Sequence, residues 1–197
     1  MSETLGKLLE ESGAILRGHF ILTSGRHSDV YFEKFRVLER PDVLNALCTE
    51  IAGHFAGSHG GDPFDAVAGP TTGGIIIAFE VARQMGLPAI YVESEGGVRT
   101  LRRGKTLPNS PRILVVDDVL TTGTSLVETA EALRLAGGRP EGFGVLIDRA
   151  QTYPDLGAPI FSAYKVEATS WAEYELPEEL KAIPAIKPGT RANPVKG

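Results

Sequence analysis

The chain reads as an α/β protein: a parallel sheet flanked by helices, with a small hairpin ahead of it and a tail behind. Three observations predict this. Short apolar runs bounded by Gly and Pro alternate with segments of helical period, the pattern that successive β-α units leave in a sequence. The run RILVVDD at 112–118 is apolar until it ends in two acids, where a strand would give way to the next helix. The length, 197 residues, fits one domain able to bury a substantial core.

Each element follows in order. MSETLGKLLEESG is charged and amphipathic, an N-terminal helix rather than a basic patch leading into an apolar stretch. HFILTSGRHSDVYFEKFRVL alternates apolar and polar residues around TSGRHSD, which predicts a hairpin outside the parallel sheet. PDVLNALCTEIAGHFAG at 41–57 has Pro41 suited to a first helical turn, and Val43, Leu44, Leu47, Ile51 and Phe55 at helical spacing. FDAVAGP is a short strand, GGIIIAFEVARQMG a helix closed by Gly86, and LPAIYVE a second strand. Residues 93–112 are polar, glycine-containing and basic, so they are expected to form a mobile loop or a loosely held hairpin with no core to belong to. After RILVVDD, SLVETAEALRLAGG puts Leu126, Ala130 and Leu133 on one helical face, with acids toward its start, Arg134 near its end and a glycine pair as its stop. GFGVLIDR is the last strand of the pattern. One domain over 1–197 is expected: a segment at 1–40, the α/β core at 41–170 and the tail at 171–197.

Composition excludes several function classes. Twenty basic against twenty-five acidic residues give a net charge of −5, so the chain as a whole does not attract nucleic acid or anionic lipid. The single cysteine, Cys48, cannot build a disulfide framework or a thiolate metal cage and reads as a small buried hydrophobe. No apolar stretch approaches membrane-spanning length. A soluble, cytoplasmic protein is expected.

The chemistry concentrates in ILVVDDVLTTGTSL at 113–126. In open parallel sheets ligands sit at the carboxyl ends of strands, where Asp117 and Asp118 fall. TTGTS then offers main-chain N–H groups and the hydroxyls of Thr121, Thr122, Thr124 and Ser125, with Gly123 removing a side chain and a helix dipole behind, an anion cradle suited to phosphate. Two acids beside a phosphate cradle make sense for a ligand with both a phosphate and hydroxyl donors, such as a ribose 5-phosphate. A nucleotide-binding P-loop is excluded: Gly104, Lys105 and Thr106 supply its second half, but position 99 is Arg. A phosphorelay receiver would carry its acid pair near the domain start, and a plain N-capped helix would explain one hydroxyl of the run but not the acids ahead of it.

VVDDVLTTGTS resembles the phosphoribosyl pyrophosphate signature of the type I phosphoribosyltransferases. The similarity covers most of the chain and points to the branch acting on orotate: HFILTSGRHSDVYF resembles its N-terminal hood, GPTTGG its pyrophosphate loop, IDR at 147–149 its base-binding strand end and KPGTR at 187–191 the tail of one bacterial branch. The resemblance implies a type I phosphoribosyltransferase-like parallel sheet and hood. It further implies that Asp117 and Asp118 contact the ribose hydroxyls, that Thr121, Thr122, Gly123, Thr124 and Ser125 wrap the 5-phosphate, and that Val119 and Leu120 between them belong to the same phosphoribosyl pyrophosphate-binding stretch. Thr71, Thr72, Gly73 and Gly74 would offer N–H groups to the pyrophosphate, with a cis peptide between Thr71 and Thr72. Thr121 and Arg149 would hold orotate, with Tyr31 and Phe32 beside the ring.

The chain departs from this pattern in places. Thr23 and Gly73 stand where many orotate enzymes have lysines, and the loop that begins at Glu93 and Ser94 lacks the usual Arg-Lys pair. Its own basic residues, Arg99, Arg102, Arg103 and Lys105, are the candidates to close over the reaction. Leu176 and Glu179 occupy the positions of a Cys-x-x-Cys pair in related tails, so no zinc is expected there. The resemblance implies Mg²⁺ held mainly through substrate and water with no direct protein ligand, small-molecule substrates (orotate and phosphoribosyl pyrophosphate), and a homodimer exchanging its basic loops. Two alternatives stay open: a phosphoribosyltransferase for another base, and a non-catalytic sensor of phosphoribosyl pyrophosphate.

Overall fold

The computed structural model describes residues 2–22, 24–57, 64–101, 106–166 and 168–188. Thr23, Arg102, Arg103, Lys105 and residues 189–191 of the KPGTR stretch lie outside the described residues.

The centre is a six-stranded sheet. In chain order its strands are β3 (Ala66–Pro70), β4 (Ala89–Glu95), β5 (Val98–Leu101), β6 (Arg112–Leu120), β7 (Arg139–Asp148) and β8 (Ile160–Lys165); their spatial order is β5-β4-β3-β6-β7-β8. All pairings are parallel except β4 with β5. A smaller sheet joins β1 (Ile15–Ile21), β2 (His27–Phe32) and β9 (Ser170–Trp171), the hairpin predicted ahead of the core with one late strand added. Helices α1 (Ser2–Glu11), α2 (Lys34–Leu38), α3 (Pro41–Gly57), α4 (Gly73–Met85), α5 (Thr124–Leu135) and α6 (Glu178–Lys181) complete the chain.

Each face of the sheet has its own core, and β6 shows why. Side chains alternate across a strand. Leu114 and Val116 enter one cluster with Leu47 and Ile51 of α3 and Ile77 and Val81 of α4; Ile113 and Val115 enter the other with Leu126, Ala130 and Leu133 of α5. Complete burial of such a side chain is worth roughly 1.5–3 kcal/mol, so the helical spacing read from the sequence decides which face each helix covers.

Of the two forms expected for the segment after β4, residues 93–101 take the hairpin: β4 and β5 pair at the sheet edge, turning at Gly96 and Gly97, whose φ values of 59° and 84° favour glycine. The expectation that residues 93–112 belong to no core is corrected by Leu101 and Leu107, both buried in the α5-side cluster. Strand β8 gave no signal because IFSAYK is half-buried and lacks a continuous apolar run. Within the tail, Ile183 and Ile186 are tied to β1: Ile21 N–H donates to Ile186 O at 2.8 Å, Ile186 N–H to His19 O at 2.8 Å, and a His19 ring nitrogen lies 2.9 Å from Ile183 O.

Candidate active site

The order β4-β3-β6 places the carboxyl ends of β3 and β6 side by side where the chain connection reverses direction, the crevice in which open α/β sheets bind ligands. Two turns meet there, one after Leu120 and one after Pro70.

Alternation along β6 sends its two acids to opposite faces. Asp117 continues the Ile113–Val115 side and is buried; Asp118 continues the Leu114–Val116 side. Each is strapped to the main chain, Asp117 accepting from Asp118 N–H and Asp118 from Val119 N–H, both at 2.8 Å. Burial, then the neighbouring Asp118 charge, pushes the Asp117 carboxyl up to about 6 against the opposing pull of the Ser125 hydroxyl, the Asp118 N–H and Arg99. On the other face Asp118 accepts a charged hydrogen bond from Lys34 Nζ at 2.9 Å.

The hydroxyl-rich turn leads into α5. Thr121 and Thr122 are exposed, the Thr122 and Thr124 hydroxyls are 3.0 Å apart, and Gly123 is the N-cap with φ 78°. A Cβ at Gly123 would strike the Pro154 ring. Val119 and Leu120, expected among the phosphoribosyl pyrophosphate contacts, belong to the strand: Val119 N–H is taken by Asp118, Leu120 O accepts from Arg149 N–H, and both side chains pack in the hydrophobic clusters, so the open groups of this turn are those of residues 121–125. Arg99 stands in β5, donating through Nη2 to Ser125 Oγ at 3.0 Å and pairing with Glu128 at 3.0 Å. It braces the cradle's helix from the neighbouring strand.

The second turn is built from backbone. The Thr71–Thr72 peptide is cis, as the resemblance implied. Gly73 and Gly74 open α4, where first-turn N–H groups lack intrahelical acceptors. Close approach explains the glycines: a Cβ on Gly69 would overlap the Gly74 carbonyl, one on Gly74 would meet Pro70 Cδ at 2.5 Å, and one on Gly73 would meet Asp118 Oδ2 at 2.7 Å. Thr71 is a second correction, because its N–H is committed to Val92 O at 2.9 Å; this leaves Thr72, Gly73 and Gly74 as the donors facing a ligand.

Between cradle and hood lies a cavity of about 690 Å³ whose walls include Ser28, Tyr31, Thr121, Thr122, Arg149 and Ser170. Arg149 is largely buried; among the described residues its Nη2 reaches only Val30 O, at 3.4 Å, and its Nε has no hydrogen-bond partner. Burial pulls its pKa down. Tyr31 stands on the wall as expected. Phe32 does not: neighbouring residues on a strand point to opposite faces, and Phe32 is buried in the core with α3. Sequence reading missed Lys34, since a five-residue helix has no periodicity to detect.

Together these elements set two turns with open N–H and hydroxyl groups beside a pair of acids and an adjoining cavity with an orphaned guanidinium nitrogen. No group of three or more His, Cys, Asp or Glu among the described residues could hold a metal ion. Nor is any described helix long and apolar enough to cross a membrane.

Residues 42–182 match the phosphoribosyl transferase domain family. Orotate phosphoribosyltransferase of Pelotomaculum thermopropionicum is 46% identical over 184 residues, covering 93% of this chain and 95% of that protein. The protein of the same name from Chlorobaculum parvum is 41% identical over 98% of this chain and 97% of its own length. Among solved structures, Aeropyrum pernix orotate phosphoribosyltransferase superposes with a TM-score of 0.67 at 33% identity, covering 83% of this chain and 94% of that one.

Proposed function

The chain belongs to the phosphoribosyl transferase domain family, and from that premise we infer that it is an orotate phosphoribosyltransferase, which transfers the phosphoribosyl group of phosphoribosyl pyrophosphate to orotate and yields orotidine 5-monophosphate and pyrophosphate, a step of pyrimidine biosynthesis. The observation that carries the choice of base is Arg149. A buried guanidinium N–H without an acceptor is costly, and a base bearing its own carboxylate answers it with a charge-assisted hydrogen bond about twice as strong as the neutral one a purine nitrogen or carbonyl offers.

The residues divide the labour by charge. The 5-phosphate sits on the main chain and hydroxyls of residues 121–125, at the N-terminus of α5. Asp117 and Asp118 accept from the ribose hydroxyls, which fixes C1 toward the cavity. Thr72, Gly73 and Gly74 direct N–H groups at the pyrophosphate, whose negative charge grows as its bond to C1 breaks and the ring becomes cationic. Thr121 and Arg149 hold orotate so that its nitrogen faces C1, with Tyr31 on the same wall.

The Asp117 and Asp118 carboxylates at the crevice suit Mg²⁺ held chiefly through substrate oxygens and water, where it would neutralise pyrophosphate charge. The segment containing Arg102, Arg103 and Lys105 would cover the site and exclude water. A homodimer is supported by the outer face of α4, where Ile76 and Phe79 are 43% and 63% exposed. Cytoplasmic residence fits the single cysteine, buried with its thiol pushed up to about 12 by burial and the Glu80 charge.

The test is orotate consumption with phosphoribosyl pyrophosphate and Mg²⁺, run beside uracil, adenine and hypoxanthine. Turnover of orotate that falls at least tenfold in Arg149→Met is expected; turnover of another base instead would overturn the assignment.

A further inference from the structure

We propose that Lys34 is a substrate-binding residue whose ion pair with Asp118 is a resting position, and that on arrival of phosphoribosyl pyrophosphate its ammonium passes to the pyrophosphate. This deepens the reading above and rests on it.

Four observations lead there. Lys34 opens α2, and Leu38, one turn later on the same side, packs over the pyrophosphate loop: a Cβ on Gly73 would lie 3.3 Å from Leu38 Cδ1. That contact seats the short helix beside the loop. The Lys34 ammonium and Gly73 converge on one atom, Asp118 Oδ2, at 2.9 Å for Nζ and 2.7 Å for a Cβ built on the glycine. Position 73 therefore cannot carry a side chain of its own without displacing Asp118, and a cation for this loop must come from another element. Finally, Lys34 is 43% exposed while Asp118 is 14% exposed, so the ammonium is the partner with room to move. Burial opposes its charge, but the bond to Asp118 and the fields of Asp118, Asp117 and Glu33 more than offset this, and Lys34 remains protonated.

The exchange follows from competition for one carboxylate. Ribose hydroxyls that donate to Asp118 weaken its hold on Lys34 just as a more highly charged acceptor is delivered over Gly73. The ammonium then counters leaving-group charge, which increases as the C1–oxygen bond breaks.

Calorimetric titration of unsubstituted protein, Lys34→Met and Lys34→Arg with phosphoribosyl pyrophosphate, pyrophosphate and ribose 5-phosphate, all with Mg²⁺, separates the possibilities. Lys34→Met is expected to weaken both pyrophosphate-bearing ligands by roughly tenfold or more, to leave ribose 5-phosphate as tight or tighter, and to be largely rescued by Lys34→Arg. Unchanged affinity for pyrophosphate, or an equal loss for ribose 5-phosphate, overturns the proposal and leaves Lys34 as an orienter of Asp118. Should the unsubstituted protein bind none of these ligands and consume no orotate, it is the functional reading that fails instead.

Discussion

The two turns that meet at the sheet crevice, each proposed above to hold an anion, are built by opposite means. The turn after β6 uses side chains: two acids, a run of hydroxyls and a brace from Arg99. The turn after β3 uses almost none, because Gly69, Gly73 and Gly74 are packed so closely against Gly74, Asp118 and Pro70 that a Cβ has no place. A side-chain site can be tuned one atom at a time. A backbone site is fixed by the packing that shapes it, so substitution there damages structure and binding together.

The sharpest break in this contrast is Asp117→Asn combined with Asp118→Asn, expected to cut orotate turnover by about a thousandfold or more while far-ultraviolet circular dichroism stays unchanged. Gly69→Ala should do the reverse, lowering stability by roughly 2–4 kcal/mol in urea unfolding because the added carbon meets the Gly74 carbonyl, with substrate affinity falling alongside it.

Asp117 alone separates site from fold. Its folded pKa, about 6, lies above the usual 3.8, so between these values the folded protein keeps a proton that the unfolded chain has lost. Stability is then highest below the lower value, declines as pH rises through the folded one, and carries a penalty of about 2–3 kcal/mol at neutral pH. Asp117→Asn is expected to stabilise the protein by up to that amount at pH 7, to change it little near pH 4, and still to impair turnover. Equal stability effects at both pH values would contradict the burial argument. The smallest effect belongs to Glu128→Gln: the carboxylate is half exposed, so its bond to Arg99 should be worth about 1 kcal/mol or less in thermal unfolding.

The side-chain turn was legible in the sequence and the backbone turn was only half so. Asp117, Asp118 and the hydroxyl run announce themselves because their residue types conflict with the buried strand before them. GPTTGG shows its glycines but not which N–H groups are already spent, and the engagement of Thr71 with Val92 depends on a neighbouring strand far along the chain. Phe32 shows the limit of naming adjacent residues on a strand, since period two allows only one of them to face the cavity. The main sheet was readable from its fully buried strands, whereas β8, β9 and α2 are short or half-exposed and are fixed by tertiary contacts that leave no period behind. Lys34 belongs to that second group, and only its distance to Asp118 singles it out.

The stitching of Ile186 between His19 and Ile21, with Ile183 held by His19 from 164 positions away, has a practical meaning for handling the protein. Pro188, just beyond that stitch, lines the same cavity as Tyr31, Thr121 and Arg149. Trimming the polypeptide back to Lys181 would therefore remove both the stitch and this part of the cavity wall while leaving residues 121–125 and 72–74 in place.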